Sequence, residues 1–460
     1  MNLPRYDSYT HSNILWVGKF PSHWSITQVK YEAYVKARVG WHGLKSDDFT
    51  DEGPYLVTGS DFKSSSIRWQ DCYHCDLKRY EQDPYIQLSN GDLLITKDGT
   101  IGKVALVQGL NIDDKATLNS GVFVVRPLRN NFSTKYYYWL LQSKVFTDFV
   151  DSNKTGSTIV HLYQDTFVNF SYASPKIQDQ IQISAFLDHE TAKIDNLIEK
   201  QQQLIELLKE KRQAVISHAV TKGLNPDVPM KDSGVEWLGD VPEHWEVSKF
   251  GYISLVVRGG SPRPAGDPTL FNGDYSPWVT VAEITKDNEI YLESTDTFLT
   301  KKGSEQCRVF KAGTLVLSNS GATLGVPKIL KMDANANDGV VGFESLRIDH
   351  EYAYFYLSTL TNNLRESIKQ GSGQPNLNTD IVKSIAVPIP PENEMQFITS
   401  SIKKYIELYA LIESSALEQV KLLQERRTAL ISAAVTGKID VRDWVAPDTS
   451  DIEASEEATA

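Results

Sequence analysis

Two kinds of hydrophobic pattern alternate along the chain. Short apolar runs bounded by Gly, Asn and Asp, such as 54–58, 121–126 and 314–318, are typical of strands joined by turns. Residues 136–149 and 352–368 carry aromatic and aliphatic side chains at helical spacing, which predicts helices whose aromatic residues belong to a core rather than to a ligand site. These segments predict globular regions of the α/β class, with mixed α+β structure.

Each globular region is followed by a pattern that predicts a long helix. Pro175 after Ser174, and Pro390 and Pro391 before Glu392, are typical helix starts. Beyond them, mostly apolar residues recur at alternating steps of three and four, as in the seam of a coiled coil. The predicted seam positions are Ile194, Leu197, Gln201, Leu204, Leu208, Lys211 and Val215 in the first helix and Tyr409, Ile412, Ala416, Val420, Leu423 and Leu430 in the second. The simplest partner for each helix is the other one, in an antiparallel pair.

The chain also contains an internal repeat. Trp16–Trp24 (WVGKFPSHW) recurs in the second half of the chain as Trp237–Trp245 (WLGDVPEHW), with five of nine positions identical. The segment 211–223 recurs as 426–438, with seven of thirteen positions identical. Between these ends the match is weaker, as in Leu93–Gly102 beside Leu315–Gly325. Duplication for stability alone is one interpretation, but divergent loops on a repeated frame favour two different ligands.

These signals divide the chain into five predicted segments. They are a first globular domain at 1–174, a first long helix at 175–223, a second globular domain at 224–389, a second long helix at 390–437 and an acidic, disordered tail at 438–460. A helix of about 45 residues is nearly 70 Å long at about 1.5 Å per residue. An antiparallel pair of such helices is therefore long enough to separate the two globular domains.

Composition restricts the class of protein but does not indicate a function. The 41% of hydrophobic residues is ordinary for a globular protein, and no apolar run reaches the roughly 20 residues that cross a bilayer. We therefore expect a cytoplasmic protein without a membrane partner. The net charge of −12 weighs against non-specific nucleic-acid binding, but a local basic cleft is enough for specific recognition.

The three cysteines are too few for a disulfide framework. Cys72 and Cys75 have the spacing of half a zinc site, but the only other cysteine, Cys307, is far away in sequence. We expect no metal, and interpret the pair as incidental.

The order of two globular regions and two long helices, with W-x-G-x-x-P-x-H-W opening each unit, resembles the specificity subunits of type I restriction-modification systems. The segments 186–195 and 207–221 are similar to the conserved central helix of that family. The resemblance covers nearly the whole chain. It implies two target-recognition domains, each reading half of a bipartite, asymmetric site on double-stranded DNA, and helices that set the spacer between the half-sites.

The same resemblance implies that catalysis belongs to partners. Two methyltransferase subunits would dock on the helices and restriction subunits would join them, with S-adenosylmethionine, ATP and Mg used by the partners and no cofactor in this chain. The second helix, 397–435, is less similar to the family than the first, so docking there is less defined. The candidate docking residues are Ala185, Asp188, Asp195, Lys211, Arg212, Arg426 and Arg427.

Candidate DNA contacts follow from chemistry and loop position. Basic, hydroxyl-bearing residues beside glycines suit phosphate contacts, guanidinium groups suit guanine or phosphate, and amides suit adenine. In the first domain the candidates are Lys97, Thr100, Lys103, His161 and Tyr163; in the second they are Arg258, Arg263, Gln374, Asn376 and Asn378. For each, an ordinary solvated turn is an alternative, and amides equally often stabilise turns.

Two other classes of protein are weighed against this interpretation. A structural scaffold would use the repeats to bind protein or glycan. An enzyme would need acids such as Asp92, Asp98 or Asp380, which have no partner in any recognised motif. The chain lacks Asn-Pro-Pro-Phe/Tyr, the phosphate-binding Gly-x-x-x-x-Gly-Lys-Ser/Thr and Gly-x-Ser-x-Gly. A non-catalytic DNA-reading subunit is therefore the preferred hypothesis.

Overall fold

The computed structural model describes residues 4–38, 49–63, 66–130, 132–153, 161–321, 323–366 and 377–446. They form two compact units, unit 1 with residues 1–202 and 418–460 and unit 2 with residues 203–417. Each unit holds one globular domain and parts of two long helices. No helix in the described ranges has the length and apolar character needed to span a membrane.

The first globular domain is built on two sheets. The main sheet is antiparallel, in the order Val104–Leu106, Leu93–Thr96, Val122–Pro127 and Ala33–Ala37. The second has the order Ala116–Leu118, Phe49–Val57 and Tyr73–Cys75, and its first two strands are parallel. Three strand pairs complete the domain: Tyr9–His11 with Lys19–Pro21, Ser25–Gln28 with Ser171–Ser174, and Phe62–Lys63 with Ser66–Ile67.

The second globular domain repeats this topology, with Tyr291–Leu292 added to its main sheet as a fifth strand that is parallel to its neighbour. Its main sheet has the order Leu255–Arg258, Val340–Glu344, Leu315–Ser318, Pro327–Leu330 and Tyr291–Leu292. The other sheet has the order Phe298–Leu299, Phe271–Val279, Ala334–Ala336 and Val309–Phe310, again with one parallel pair. Met230–Asp232 pairs with Asp240–Pro242 and Glu246–Lys249 with Ala386–Ile389, as their counterparts do in the first domain.

Buried strands between two cores explain the continuous apolar runs. Leu93, Ile95 and Phe123 belong to the larger core of the first domain, whereas Leu94 and Val124 belong to a second core on the other face of the sheet. Because successive side chains of a strand point to opposite faces, both sets must be apolar. The second domain is organised in the same way around its own two cores.

Short helices cover the sheets. In the first domain they are Val29–Glu32, Leu77–Gln82, Thr134–Leu140, Lys144–Ser152 and Gln164–Val168, with 3₁₀ turns at Trp69–Asp71 and Pro84–Ile86. In the second they are Phe250–Ile253, Val281–Ile284, Lys301–Ser304, His350–Thr359, Thr361–Glu366 and Thr379–Ser384. The aromatic residues of Thr134–Leu140 are buried, as predicted. The mixed α/β prediction is confirmed.

The two long helices are Ile177–Lys222 and Glu392–Val435. In unit 1, Asp195 pairs with Arg427. Gln182, thirteen residues before Asp195, donates to the carbonyl of Val441, fourteen residues after Arg427. In unit 2, Lys209 lies within electrostatic range of Glu413, and Ile216 and Ile406 line one cavity. Moving forward along one helix therefore means moving backward along the other, which is the antiparallel arrangement predicted.

The seam of the first long helix differs from the prediction at alternate positions. Leu197 and Leu204 are 48% and 39% exposed, whereas Ile205 is only 6% exposed, and Ile198 and Arg212 are half-buried. Predicted positions 194, 201, 208 and 215 do face inward, but 198, 205 and 212 replace 197, 204 and 211. Both series alternate three and four, so spacing alone does not choose between them. In the second helix Glu413 similarly replaces Ile412.

The two best-preserved parts of the repeat contact each other. In unit 1, a Cβ added to Gly437 would lie 2.4 Å from Pro21, and His23 Nε2 lies 3.5 Å from Asp179. In unit 2, a Cβ on Gly223 would lie 3.3 Å from both Trp245 and Glu394, and His244 Nε2 lies 2.7 Å from Glu394. The opening motif of each unit thus joins the start of one long helix to the end of the other.

The first residues of the segment assigned to a disordered tail are packed in unit 1. Val441 belongs to the larger core, and the ring of Trp444 meets that of Phe186 edge to face, with 5.4 Å between ring centroids. The side-chain amide of Gln182 donates to the carbonyls of Val441 and Trp444. The predicted tail boundary at 438 is therefore too early, because apolar residues among the acidic ones still contribute to the core. Residues 447–460 lie outside the described part of the chain.

Candidate nucleic-acid interface

A tight turn between two strands carries three of the predicted contacts of the first domain. The Thr96 N–H donates to the Lys103 carbonyl and the Lys103 N–H to the Thr96 hydroxyl, both at 2.9 Å. Gly99 and Gly102 have φ values of +70° and +83°, in the left-handed region that favours glycine. The Thr100 and Lys103 side chains are exposed. The turn therefore presents a hydroxyl and an ammonium group to solvent.

His161 and Lys97 both contact the carboxylate of Asp98. His161 Nδ1 lies 2.7 Å from Oδ1, and Lys97 Nζ lies 3.3 Å from Oδ2. The Leu162 N–H donates to the Lys97 carbonyl at 2.9 Å, which ties the two loops together. Tyr163, next to this point, is 63% exposed. The structure thus gathers Lys97, His161 and Tyr163 around Asp98, which the sequence offers only as a candidate catalytic acid.

Asp338 has the corresponding role in the second domain. Arg258 Nε donates to its backbone carbonyl, and the Ser261 hydroxyl donates to Oδ1 at 2.7 Å. The hydrogen bond from Ser261 lowers the pKa of Asp338 against the effect of burial, and the positive charges of Arg258 and Arg263 lower it further. Both arginine side chains remain exposed. The two predicted residues therefore lie around one carboxylate that the sequence did not single out.

The amide candidates have different outcomes. Asn378 is the N-cap of helix Thr379–Ser384, and its Oδ1 accepts from the Ile381 N–H at 2.8 Å. Turn stabilisation, the alternative considered for such amides, is what this oxygen does. Gln374 and Asn376 lie outside the described residues.

Equivalent backbone positions in the two domains carry different side chains. The Lys97 N–H donates to the Gly121 carbonyl at 2.9 Å, and the Asn319 N–H donates to Gly339 at the same distance. Leu162 binds the Lys97 carbonyl, and Leu377 binds that of Asn319 at 2.7 Å. Lys97 carries a charge, whereas Asn319 has a fully buried amide without a hydrogen-bond partner among the described residues. The two domains therefore share the backbone hydrogen bonds at this position but carry side chains of different chemistry there.

Several predicted docking residues make contacts within unit 1, although the Asp195 side chain remains 51% exposed. Asp188 accepts from Trp139 Nε1 at 3.2 Å and pairs with Lys135. Arg427 Nε donates to Asp195 at 2.8 Å. The side chains of Ala185, Lys211 and Arg426 are exposed, and Arg212 is half-buried.

Unit 2 has the same ion pair with the charges exchanged. Glu351 occupies the position of Lys135, because each directly precedes a tyrosine whose hydroxyl donates to a carbonyl of a long helix. These tyrosines are Tyr352, which binds Val220, and Tyr136, which binds Val435. It binds Lys403 Nζ at 2.7 and 2.9 Å, and Lys403 occupies the position of Asp188. Sequence reasoning missed both pairs, although opposite charges at matching places in the repeat were the available signal.

The helix pair of unit 2 exposes an apolar face. We call the set Leu204, Leu207, Tyr405, Leu408 and Ile412 the apolar face; each is between 36% and 61% exposed. Each directly precedes an inward-facing position, so all lie on one side of the seam. In an antiparallel pair the corresponding sides of both helices form one surface.

The C-x-x-C pair lies inside the first domain. Cys72 belongs to the smaller core and Cys75 to a separate cluster with Leu56, and burial raises the pKa of both thiols, that of Cys72 to about 12. Within the described ranges, no group of three or more His, Cys, Asp or Glu side chains is placed to hold a metal ion.

Comparison with known proteins identifies a family to which the chain is similar in sequence. The type I restriction modification DNA specificity domain matches residues 43–207 and again 242–422. The type I restriction enzyme MjaIX specificity subunit of Methanocaldococcus jannaschii is 23% identical over 451 residues, which cover 93% of this chain and 96% of that protein.

Two solved structures share the fold. One, from work on complex assembly and conformational transition of the type I R-M system, has a TM-score of 0.69 at 15% identity, covering 90% of this chain and 98% of the other. The HsdS subunit of Thermoanaerobacter tengcongensis has a TM-score of 0.52 at 15% identity, covering 91% and 98%. The predicted resemblance is confirmed. With three quarters of its length matched by two copies of the domain, the chain belongs to the type I restriction modification DNA specificity family.

Proposed function

We propose that this chain is the DNA-specificity subunit of a type I restriction-modification complex and has no catalytic activity of its own. Each globular domain reads one half of a bipartite, asymmetric DNA site, and the long helices set the spacer. The observation that carries this is the pairing of one backbone frame with two different loop chemistries, at Lys97 and at Asn319. Two readers on one frame suit an asymmetric site, whereas duplication for stability gives no reason for the loops to differ.

The candidate groups suit a duplex. Lys97, Thr100 and Lys103 can contact phosphates from a glycine-containing turn, which allows close approach of the backbone. Arg258 and Arg263 can pair with guanine or phosphate. His161 and Tyr163 offer a ring and a hydroxyl beside the basic turn. The Asp98 carboxylate contacts Lys97 and His161, and the Asp338 backbone carbonyl accepts from Arg258, so these three side chains are positioned before DNA binds.

The partners supply the chemistry. Two methyltransferase subunits dock on the long helices and restriction subunits join them in the cytoplasm, and these partners use S-adenosylmethionine, ATP and Mg. The apolar face of unit 2 and the exposed Lys211 and Arg426 support this docking, because contiguous exposed apolar side chains are typical of protein interfaces.

The test is methylation mapping in cells that carry this chain and its cognate methyltransferase, with a strain lacking the chain as control. We expect a two-part asymmetric motif to be methylated only when both are present, and the purified chain alone neither to methylate nor to cut DNA. A scaffold binding protein or glycan would bind the methyltransferase without conferring a methylated motif, and that result would overturn the proposal.

A further inference from the structure

The repeat places an arginine in the seam of each long helix. Arg212 and Arg427 occupy the same position in the two repeated helix ends, 211–223 and 426–438. In unit 1 the guanidinium of Arg427 has two partners: Nε donates to Asp195 at 2.8 Å, and the group lies 5.8 Å from the ring centroid of Trp139. A half-buried cation is stable here because a carboxylate and an aromatic face replace its water.

Unit 2 repeats the arginine but not the carboxylate. With the two helix ends aligned in this way, the position that corresponds to Asp195 is Ala410. The pairings of Lys209 with Glu413 and of Ile216 with Ile406 place Arg212 beside Ala410. In the described part of the chain the Arg212 side chain has no hydrogen bond or ion pair, although it is half-buried.

A cavity of about 410 Å³ surrounds this arginine, between the helix pair and the second domain. Four cationic side chains line it, Lys209, Arg212, Lys328 and Arg365, against the carboxylates of Asp287 and Glu289. The buried Lys328 is already neutralised by Asp287, and Lys209 binds Glu206 at 2.9 Å. The remaining positive charge lies on Arg212 and on Arg365, which uses Nε to bind the Leu324 carbonyl.

Tyr354 marks the apolar side of the cavity. Burial raises its pKa to about 12; the nearby charge of Arg212 opposes that shift, and the charges of Glu289 and Asp287 add to it. Tyr354 and Phe355 stand where unit 1 has Tyr138 and Trp139, and both line the cavity, so aromatic side chains are present beside Arg212. Although Asp287 and Glu289 line the cavity, unit 2 has no carboxylate at position 410, where unit 1 has Asp195.

We propose that the cavity of unit 2 receives an aspartate or glutamate side chain of a methyltransferase subunit, whose carboxylate pairs with Arg212. The inference rests on the proposed docking function and names a contact for it. A guanidinium presents a fork that matches a carboxylate, and unit 1 shows a carboxylate bound at the equivalent place. The cavity lies beside Arg212 on the flank of the seam away from the apolar face, so the two contacts can be tested separately.

The test supplies the missing carboxylate from within the chain. Ala410→Asp should pair with Arg212 as Asp195 pairs with Arg427, and should raise the melting temperature of the isolated chain. It should also weaken binding of the purified cognate methyltransferase at least tenfold, measured by titration calorimetry at low salt. Ala410→Asn fills similar space without charge and is the matched control, expected to bind as the wild type does. Arg212→Gln should weaken binding similarly, and adding Ala410→Asp to it should cost little more.

The outcomes separate the two hypotheses. Equal affinities of Ala410→Asp and wild type would overturn the cavity contact while leaving docking intact, as would equal losses in the Asp and Asn variants. If Leu408→Asp on the apolar face weakens binding and the position 410 variants do not, docking uses that face alone. A wild-type chain that fails to bind the methyltransferase would overturn the docking function and this inference with it.

Discussion

At the scale of residues, charges and glycines fix where each globular domain meets the helices. Lys135 with Asp188 and Glu351 with Lys403 join matching elements with opposite polarity. Exposed ion pairs contribute roughly 0 to 1 kcal/mol each, so these contacts select an arrangement more than they stabilise it. If the first domain packed on the helix segment of unit 2, Lys135 would meet Lys403. If the second domain packed on that of unit 1, Glu351 would meet Asp188. Both pairings place like charges together and would oppose such packing.

Glu351 makes stability depend on pH. Burial raises its pKa, but hydrogen bonds from Lys403 and Tyr291 lower it more, so the folded value lies below the ordinary 4.5. A lowered pKa stabilises the fold above the unfolded value and loses that contribution as pH falls through the folded value. We predict that Glu351→Gln melts below wild type at pH 7 and that the difference shrinks below about pH 4.5. Glu407→Gln, exposed on the long helix that carries Lys403, is the control; an unchanged gap at pH 3 would contradict the prediction.

Gly437 is required by both its backbone and its neighbours. It has φ of +68°, and an added Cβ would lie 2.4 Å from Pro21 Cγ. Gly18 has a similar φ of +64° with nothing within 4 Å, so it isolates the conformational cost of about 1 to 2 kcal/mol. We predict that Gly437→Ala loses about 1 to 3 kcal/mol more than Gly18→Ala, as for other overpacked sites. Chemical denaturation measures the unfolding free energies of both variants. Equal losses would show that the residues around Gly437 can move to accommodate the added Cβ.

At the scale of elements, the helix pair shows what the sequence could and could not provide. The two long helices, their starts and the mixed α/β repeats follow from periodicity and punctuation. The choice of Ile205 over Leu204 for the seam does not, because both are apolar and both series fit the steps. Likewise, the docking candidates Asp188 and Arg427 looked like surface charges, and only packing against Trp139 shows that they are held within unit 1.

The corrected seam predicts opposite behaviour for neighbouring residues. Ile205→Ala removes a buried side chain and should cost about 2 to 4 kcal/mol of unfolding free energy. Leu204→Ala, 39% exposed, should cost less than about 0.5 kcal/mol. Thermal or urea unfolding distinguishes them. A larger loss of unfolding free energy for Leu204→Ala than for Ile205→Ala would support the seam inferred from spacing alone.

At the scale of the whole molecule, each unit is assembled from distant stretches of chain. Unit 1 combines residues 1–202 with 418–460, and both long helices contribute to both units. Helix length is therefore a parameter of the molecule that can be changed without touching either globular domain.

Under the proposed function, inserting one heptad after Gln202 and one after Leu417 should change the spacer of the DNA site. Seven residues keep the seam in phase and add about 10 Å to each helix at 1.5 Å per residue. At about 3.4 Å per base pair the spacer should grow by up to roughly three base pairs, less if the accompanying DNA twist opposes it. Methylation mapping of the variant reads this directly; an active variant with an unchanged spacer, or with altered half-sites, would defeat the idea.

The divided composition of unit 1 also concerns how the protein is made. Its larger core includes Ile431, Ala434, Val435 and Val441 beside residues such as Tyr136 and Phe186. During synthesis the first globular domain leaves the ribosome with this part of its core open, and the core closes only after residues 431–441 have emerged. The nascent protein therefore exposes apolar surface until these residues have been synthesised, and exposed apolar surface of this kind favours aggregation.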